Sequence, residues 1–243
     1  MTDGDRNRAN GGGRGSREMI VGSFTTFLNG WLGRQQQYLD ELLSAEQCTY
    51  DPPYDNLKDL ICRVLAHYQQ YYEEKSRMVQ RDVFLVFCPT WFSSFERSLL
   101  WIAGFRPALA FRLVSDNVFD LSQEQSECMQ RLIVETRKEE KILNDELARI
   151  QESMAGPPLL EIARQRAQAV RLGEREIAEE AASLDTLRKA MEEVVASADM
   201  LRITTTARVV GILNPVQKAR FLTAAGQLLL AVRRMGSQKD GEK

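Results

Sequence analysis

The sequence has few of the residues that common active sites require. Its only histidine, His67, lies on the apolar side of a predicted helix, so little supports a Ser-His or Cys-His nucleophilic site, and clustered zinc ligands are missing. The paired Glu-x-x-His motifs of a di-iron bundle and the Gly-x-x-x-x-Gly-Lys-Ser/Thr phosphate loop are also missing. We therefore predict a protein that is not an enzyme and has no metal site.

Cysteine pairs and long apolar stretches are also lacking. The four cysteines lie far apart, which predicts buried free thiols rather than a disulfide framework: Cys48, Cys62, Cys88 and Cys128. No apolar run approaches the roughly 20 residues that span a bilayer, and the N-terminus has no apolar signal region. We therefore expect a soluble intracellular protein with no membrane segment.

The sequence does have apolar residues at helical spacing, and it has few of the alternating Val/Ile-rich runs that are typical of a sheet. Two aromatic blocks, residues 23–45 and 88–112, indicate core-forming helices. In the first block, six residues recur at steps of three and four and so share one helix face: Phe24, Phe27, Trp31, Gln35, Tyr38 and Leu42. We predict an all-α fold, a single helical bundle with long antiparallel helices.

Capping and breaking signals predict the limits of the helices. Thr90 is placed to cap a helix that contains Trp91, and a Ser122/Gln125 capping box and Asn214 followed by Pro215 open two later helices. Breaks are predicted at residues 51–53, at Pro89, at Gly104 with Pro107, and at residues 156–158. We predict a disordered tail over residues 1–17, a helical domain over 18–235 and a flexible tail over 236–243.

One predicted helix also has a heptad pattern. Its two seams contain the following residues: Ile177, Leu184, Met191 and Ala198, and Leu187, Val194 and Leu201. A homodimeric coiled coil is therefore possible. Glu180 interrupts the pattern, which extends over only about four heptads, so packing inside the bundle is the preferred interpretation.

Three separated blocks of the sequence resemble one plant family. They contain Phe24, Phe27, Trp31, Gln35, Tyr38 and Leu39; then Trp91, Ser93, Glu96, Arg97, Trp101, Ile102, Gly104, Arg106 and Pro107; then Leu213, Pro215, Gln217, Ala219, Phe221 and Leu222. In this order they resemble the delay-of-germination domain, which occurs in seed-dormancy regulators and in the C-terminal half of TGA-type bZIP transcription factors. The resemblance implies an all-helical regulatory domain without catalysis.

The resemblance also implies partners. These are protein phosphatases of the 2C type in seed dormancy or abscisic-acid signalling, or TGA-type bZIP factors in regulation of transcription, with a location in the nucleus and cytoplasm. Direct DNA binding is not expected, because the basic region and zipper of those factors have no counterpart in the sequence before the domain. Aromatic and arginine residues are the candidates for partner binding: Trp31, Gln35, Tyr38, Trp91, Arg97, Trp101 and Arg106. The competing interpretation is that these aromatics fill the core.

The alternative function is that of a haem or apolar-ligand sensor built on the same bundle. Some members of the resembled family bind haem through histidines near the C-terminus, where this sequence has none. His67 and Cys88 are the remaining haem candidates, and we expect no cofactor in the preferred interpretation.

Overall fold

The structure is a computed structural model that describes residues 11–47, 54–155 and 174–241. Within these ranges it contains eight helices and no β-strand. The helices are α1 Gly11–Gln47, α2 Tyr54–Arg81, α3 Val83–Phe87, α4 Ser94–Ser98, α5 Leu109–Asn117, α6 Gln123–Ala155, α7 Glu174–Ile212 and α8 Pro215–Gly241. The predicted all-α fold is therefore confirmed.

Several pairs of long helices pack antiparallel. Near the start of α1, Arg17 pairs at 2.6 Å with Asp82, the residue that follows α2, and near its end Glu41 pairs at 3.0 Å with Arg63 of α2. Between these pairs, Trp31 Nε1 donates to the carbonyl of His67 at 2.9 Å. Helices α6 and α7 form a second antiparallel pair, and α8 packs against α1 and α2. This arrangement confirms the predicted bundle.

The first and last helices extend into the residues predicted as tails, and the predicted domain bounds stay a prediction. Helix α1 begins at Gly11 and α8 continues to Gly241, so residues 11–17 and 236–241 are helical, while residues 1–10, 242 and 243 lie outside the described residues. Tertiary contacts explain the longer helices. Arg17 binds Asp82, and Lys239 Nζ lies 4.6 Å from the centre of the Phe95 ring.

The second aromatic block is not one continuous helix. Only residues 94–98 form α4, and a non-helical turn follows before α5 begins at Leu109. Ser93, rather than Thr90, is the N-cap: its hydroxyl accepts from Glu96 N at 3.1 Å, and the Glu96 carboxylate accepts from Ser93 N at 2.7 Å. The prediction for Thr90 was wrong because a Ser-x-x-Glu pair satisfies two helix-end donors, whereas Thr90 has no such partner at the third position.

Two other predicted helix starts are confirmed. Ser122 and Gln125 form the reciprocal hydrogen bonds of a capping box at the start of α6, at 2.9 and 3.2 Å. Asn214 and Gln217 do the same at the start of α8, both at 2.9 Å. The predicted breaks at residues 51–53 and 156–158 lie outside the described residues.

The heptad helix packs inside the bundle. Four of the seam residues of α7 are buried in the core, and Leu201 is partly exposed. The buried four are Leu187, Met191, Val194 and Ala198. Leu184 is exposed, and the side chain of Ile177 lies outside the described side chains. The seam is therefore used mainly within one chain, and homodimerisation stays a prediction.

Candidate functional site

The turn that interrupts the second aromatic block has an unusual backbone. We call residues 99–108 the turn segment. Within it, Trp101 N donates to Gly104 O at 2.6 Å and Gly104 N donates to Trp101 O at 3.2 Å, which closes a tight loop. The two residues between them, Ile102 and Ala103, have φ of 41° and 57°. The left-handed region costs roughly 1–2 kcal/mol for each such residue, so other contacts must hold the loop closed.

Arg202 of α7 supplies those contacts. Its Nε donates to the carbonyl of Phe105 at 2.7 Å, and its Nη2 donates to the carbonyls of Trp101 and Ile102. The Arg202 side chain is 5% exposed. A Cβ on Gly104 would lie 2.8 Å from Arg202 Cζ, so only glycine leaves room for the guanidinium at this position. Arg202 therefore fixes the conformation of the turn segment.

A buried charge cluster surrounds Arg202. Lys75 Nζ of α2 lies 2.7 Å from Asp199 Oδ1, and Arg202 Nη1 lies 2.5 Å from the same oxygen. Burial lowers the pKa of Lys75 to about 8, and the nearby Asp199 carboxylate offsets part of that effect. A second pair, Glu96 with Arg233 at 3.0 Å, lies close by. These five side chains include three cations and two anions, so the cluster has one excess positive charge.

Two apolar chambers adjoin this cluster. The outer chamber has a volume of about 850 Å³ and lies between α2, the turn segment, α5, α7 and α8. The inner chamber has a volume of about 140 Å³ and reaches α1, α4 and Lys75. Five residues line both chambers: Tyr68, Tyr72, Phe105, Arg202 and Leu229. An apolar cavity with a few convergent polar groups has the character of a small-molecule site.

Several buried polar atoms of the described residues have no hydrogen-bond partner within normal distance. They are the Tyr68 hydroxyl, both polar atoms of the Gln35 amide, His67 Nε2 and Trp91 Nε1. An unpaired buried polar group is costly, and native structures contain few of them. The Tyr68 hydroxyl is of particular interest because Tyr68 lines both chambers.

The two haem candidates do not form a haem site. His67 is 2% exposed and its ring stacks on Trp31 at 4.4 Å between centroids, while Cys88 is exposed at the C-terminus of α3. Neither residue lines either chamber. Burial, and then the charge of Arg34, lower the pKa of His67 to about 4, so the ring is neutral near pH 7. His67 is therefore a packed residue of the α1–α2 interface.

The cysteines differ from their prediction. Cys62 and Cys88 are exposed and Cys128 is partly exposed, because all three lie on the outer faces of helices or at a helix end, and Cys48 lies outside the described residues. Within the described ranges, no group of three potential metal ligands converges, and none of the helices there has the length and apolar character needed to cross a membrane.

The predicted partner-binding residues divide by exposure. Trp31, Gln35 and Trp91 are buried, so in this structure they belong to the core and are not available to a partner. Tyr38 and Trp101 are partly exposed, and Arg97 and Arg106 are exposed. Spacing of three and four places residues on one helix face, and the core uses such a face as readily as an interface does, so the choice of partner-binding residues stays a prediction.

The exposed candidates lie on and beside the turn segment. Arg106 Cζ lies 5.6 Å from the centre of the Trp101 ring, and its Nε lies 3.5 Å from Glu140. Trp101 Nε1 donates to Asn144 Oδ1 at 2.7 Å, which ties the turn segment to α6. Leu99 is 42% exposed. We call Arg97, Leu99, Trp101 and Arg106 the turn surface.

The buried charge cluster was not predicted from the sequence. Lys75 falls on the apolar face of α2, since it is four residues from Tyr71 and three from Met78, both of which contact the core. A lysine on such a face is the signal that could have identified it, because an unpaired lysine is almost never fully buried. Its partners on α7 are far away in the sequence, and no local pattern points to them.

The chain is similar to one protein family and to two full-length plant proteins. A family model named DOG1 and described as seed dormancy control matches residues 38–116, from the second half of α1 to the end of α5. Protein ZW2 of Arabidopsis thaliana is 36% identical over 218 residues, which is 88% of this chain and 96% of that protein. Protein RESPONSE TO ABA AND SALT 1 of the same plant is 34% identical over 216 residues, which is 87% of this chain and 94% of that protein.

A transcription factor is also similar to this chain. Transcription factor TGA7 of Arabidopsis thaliana is 29% identical over 226 residues, which is 93% of this chain but only 59% of the factor. The similarity is therefore to part of that protein.

Proposed function

The chain belongs to the DOG1 family of seed dormancy control, and we propose that it is a non-enzymatic regulator that acts by binding other proteins. The observation that supports this most strongly is the near-complete coverage of two relatives, one of them named for its response to ABA and salt. The similarity to TGA7 supports a regulatory role in the same way.

The proposed partners are protein phosphatases of the 2C type in seed dormancy or abscisic-acid signalling, and TGA-type bZIP factors in regulation of transcription. Both are implied by the family resemblance. In either case the protein would act in the nucleus and cytoplasm through its partner, without reading DNA itself.

The turn surface is the proposed contact region. It combines an accessible aromatic ring, two exposed arginines and an exposed leucine, and tryptophan and arginine are enriched among the residues that dominate binding energy. The backbone below it is held by Arg202, so the surface is preorganised and little ordering entropy has to be lost on binding.

The test is a binding measurement with purified partners. Wild-type protein and the variant Arg97→Glu/Arg106→Glu are immobilised, and a 2C-type phosphatase and a TGA-type factor are applied separately in biolayer interferometry. We expect the double variant to lose about 10-fold or more in affinity for the true partner. The control is Arg149→Glu, which reverses the charge of an exposed arginine on α6 whose side chain is 71% exposed.

The control should bind as the wild type does, and all variants should have unchanged far-UV circular dichroism. Binding of neither partner class by the wild type would refute the proposed partners. Equal binding by the double variant would refute the turn surface as the contact region.

We propose a second role, as a sensor of an apolar ligand, because the outer chamber is large and mostly apolar. The turn segment forms part of its wall, through Phe105, Arg106 and Pro107, and also carries the turn surface. A ligand in the chamber could therefore change partner binding. Native mass spectrometry of the purified protein tests this role, and a co-purified apolar molecule is the expected result.

A further inference from the structure

We propose that the two chambers bind an apolar molecule with one carboxylate, whose head lies in the inner chamber beside Lys75 and whose body fills the outer chamber. This inference rests on the proposed ligand-sensor role and adds the chemistry of the ligand.

The excess buried charge is the first argument for an anionic head. Lys75 and Arg202 share a single oxygen of Asp199, and their side chains are 3% and 5% exposed. Asp199 does not line the inner chamber, and Glu96, the one carboxylate among the described residues of its wall, is already paired with Arg233. Buried charges are normally matched by charges of opposite sign, so one anion would complete the cluster.

The available donors are the second argument. A charged lysine has three N–H donors, and the hydrogen bond to Asp199 uses one of them. The Lys75 ammonium lies in the wall of the inner chamber, so its two other donors face the space in which a carboxylate would lie. Charge-assisted hydrogen bonds of this kind are stronger than neutral ones. The Tyr68 hydroxyl lines both chambers and lies beside the Gln35 amide. Arg202, in contrast, already has four acceptors and contributes mainly its charge.

The shape of the two chambers is the third argument. The inner chamber, at about 140 Å³, has room for a head group but not for a drug-sized ligand, whereas the outer chamber, at about 850 Å³, has room for an apolar body. The two chambers share five lining residues and are therefore adjacent. Tyr72 is one of them and is partly exposed, and we infer that a change of its rotamer opens a passage between the two spaces.

The test compares acids with the matched alcohols. Dodecanoate represents linear acids and adamantaneacetate represents compact acids, with dodecanol and adamantaneethanol as neutral counterparts. Their affinities are measured by isothermal titration calorimetry on the full chain. Two variants report on the head group: Lys75→Met removes the buried charge, and Lys138→Met removes the charge of an exposed lysine on α6.

A third variant reports on the position of the apolar body of the ligand. Ala225 of α8 lines the outer chamber, and Ala225→Phe places an aromatic ring in that space. We expect at least one acid to bind about 10-fold or more tightly than its alcohol. This preference should disappear in Lys75→Met and persist in Lys138→Met, and Ala225→Phe should weaken the acid and its alcohol alike.

The outcomes separate the two ideas. Equal binding of an acid and its alcohol would overturn the carboxylate inference and leave the ligand-sensor role in place. Binding of none of the four probes would count against both. Acid binding that is unchanged in Ala225→Phe or in Lys75→Met would place the acid elsewhere and overturn the inference. The difference between the linear and compact acids identifies the shape of the natural ligand.

Discussion

Replacement of Arg202 by methionine should destabilise the protein strongly, because this side chain donates to three carbonyls of the turn segment. Methionine keeps much of the length of the side chain and removes every hydrogen bond. The carbonyls of Ile102 and Phe105 then lose their donor, and the carbonyl of Trp101 keeps only the hydrogen bond from Gly104 N. Lys75 keeps its ion pair with Asp199, so no buried charge becomes unpaired.

The magnitude follows from these groups. Each buried carbonyl that loses its donor costs about 1–3 kcal/mol, and the left-handed backbone at Ile102 and Ala103 is no longer held by Arg202. The three losses are not additive, because the turn can relax once its anchor is gone. We therefore expect a decrease of about 4 kcal/mol in the free energy of unfolding, which is a large part of the stability of an ordinary domain.

Urea unfolding followed by far-UV circular dichroism measures this decrease. The control is Arg208→Met on the same helix, whose ion pair with Glu135 at 2.6 Å is 55% exposed on both sides and should be worth less than about 1 kcal/mol. A loss below about 1 kcal/mol for Arg202→Met, or a loss equal to that of the control, would refute the idea that Arg202 holds the turn segment.

Three further predictions concern burial. Asp199→Asn leaves two buried cations without a carboxylate and should lower the free energy of unfolding by about 3–5 kcal/mol. Lys75→Met should be neutral or stabilising, and in the double variant it should restore much of the stability that Asp199→Asn removes. Urea unfolding of the two single variants and the double variant measures these effects. His67 has a pKa of about 4 in the folded protein against 6.5 in the unfolded chain, so protonation favours the unfolded chain. The free energy of unfolding should therefore fall by about 2 kcal/mol between pH 7.5 and 5. A His67→Phe variant whose free energy of unfolding falls equally over this pH range would contradict the prediction. Gly236→Ala places a methyl group against the Ser93 hydroxyl and should lower the free energy of unfolding by about 1–3 kcal/mol. Gly33→Ala lies in open space on α1 and should raise the free energy of unfolding by about 0.5–1 kcal/mol. Thermal unfolding in which Gly236→Ala is the more stable of the two variants would be inconsistent with the packing of α8.

Local signals in the sequence predicted the long helices and several of their ends. The Ser122/Gln125 and Asn214/Gln217 pairs are reciprocal capping arrangements between residues three positions apart, so the sequence alone contains the whole interaction. The same holds for the apolar face of α1, which helical spacing identifies directly.

The turn segment could not be predicted in this way. Its conformation depends on Arg202, which lies 97 residues after Phe105 in the chain, and no local pattern links the two. Gly104 and Pro107 indicated a break but not its geometry. The distinction between core and surface aromatics also depends on tertiary packing, so Trp31 and Trp91 were predicted as possible contact residues and are buried in the core.

The most direct test of the central claim is hydrogen–deuterium exchange of the backbone amides, measured with and without a saturating amount of a purified 2C-type phosphatase, and likewise with a TGA-type factor. Binding through the turn surface predicts slower exchange over residues 97–108 in the presence of one of these partners. Unchanged exchange over these residues in a mixture that demonstrably forms a complex would contradict the claim.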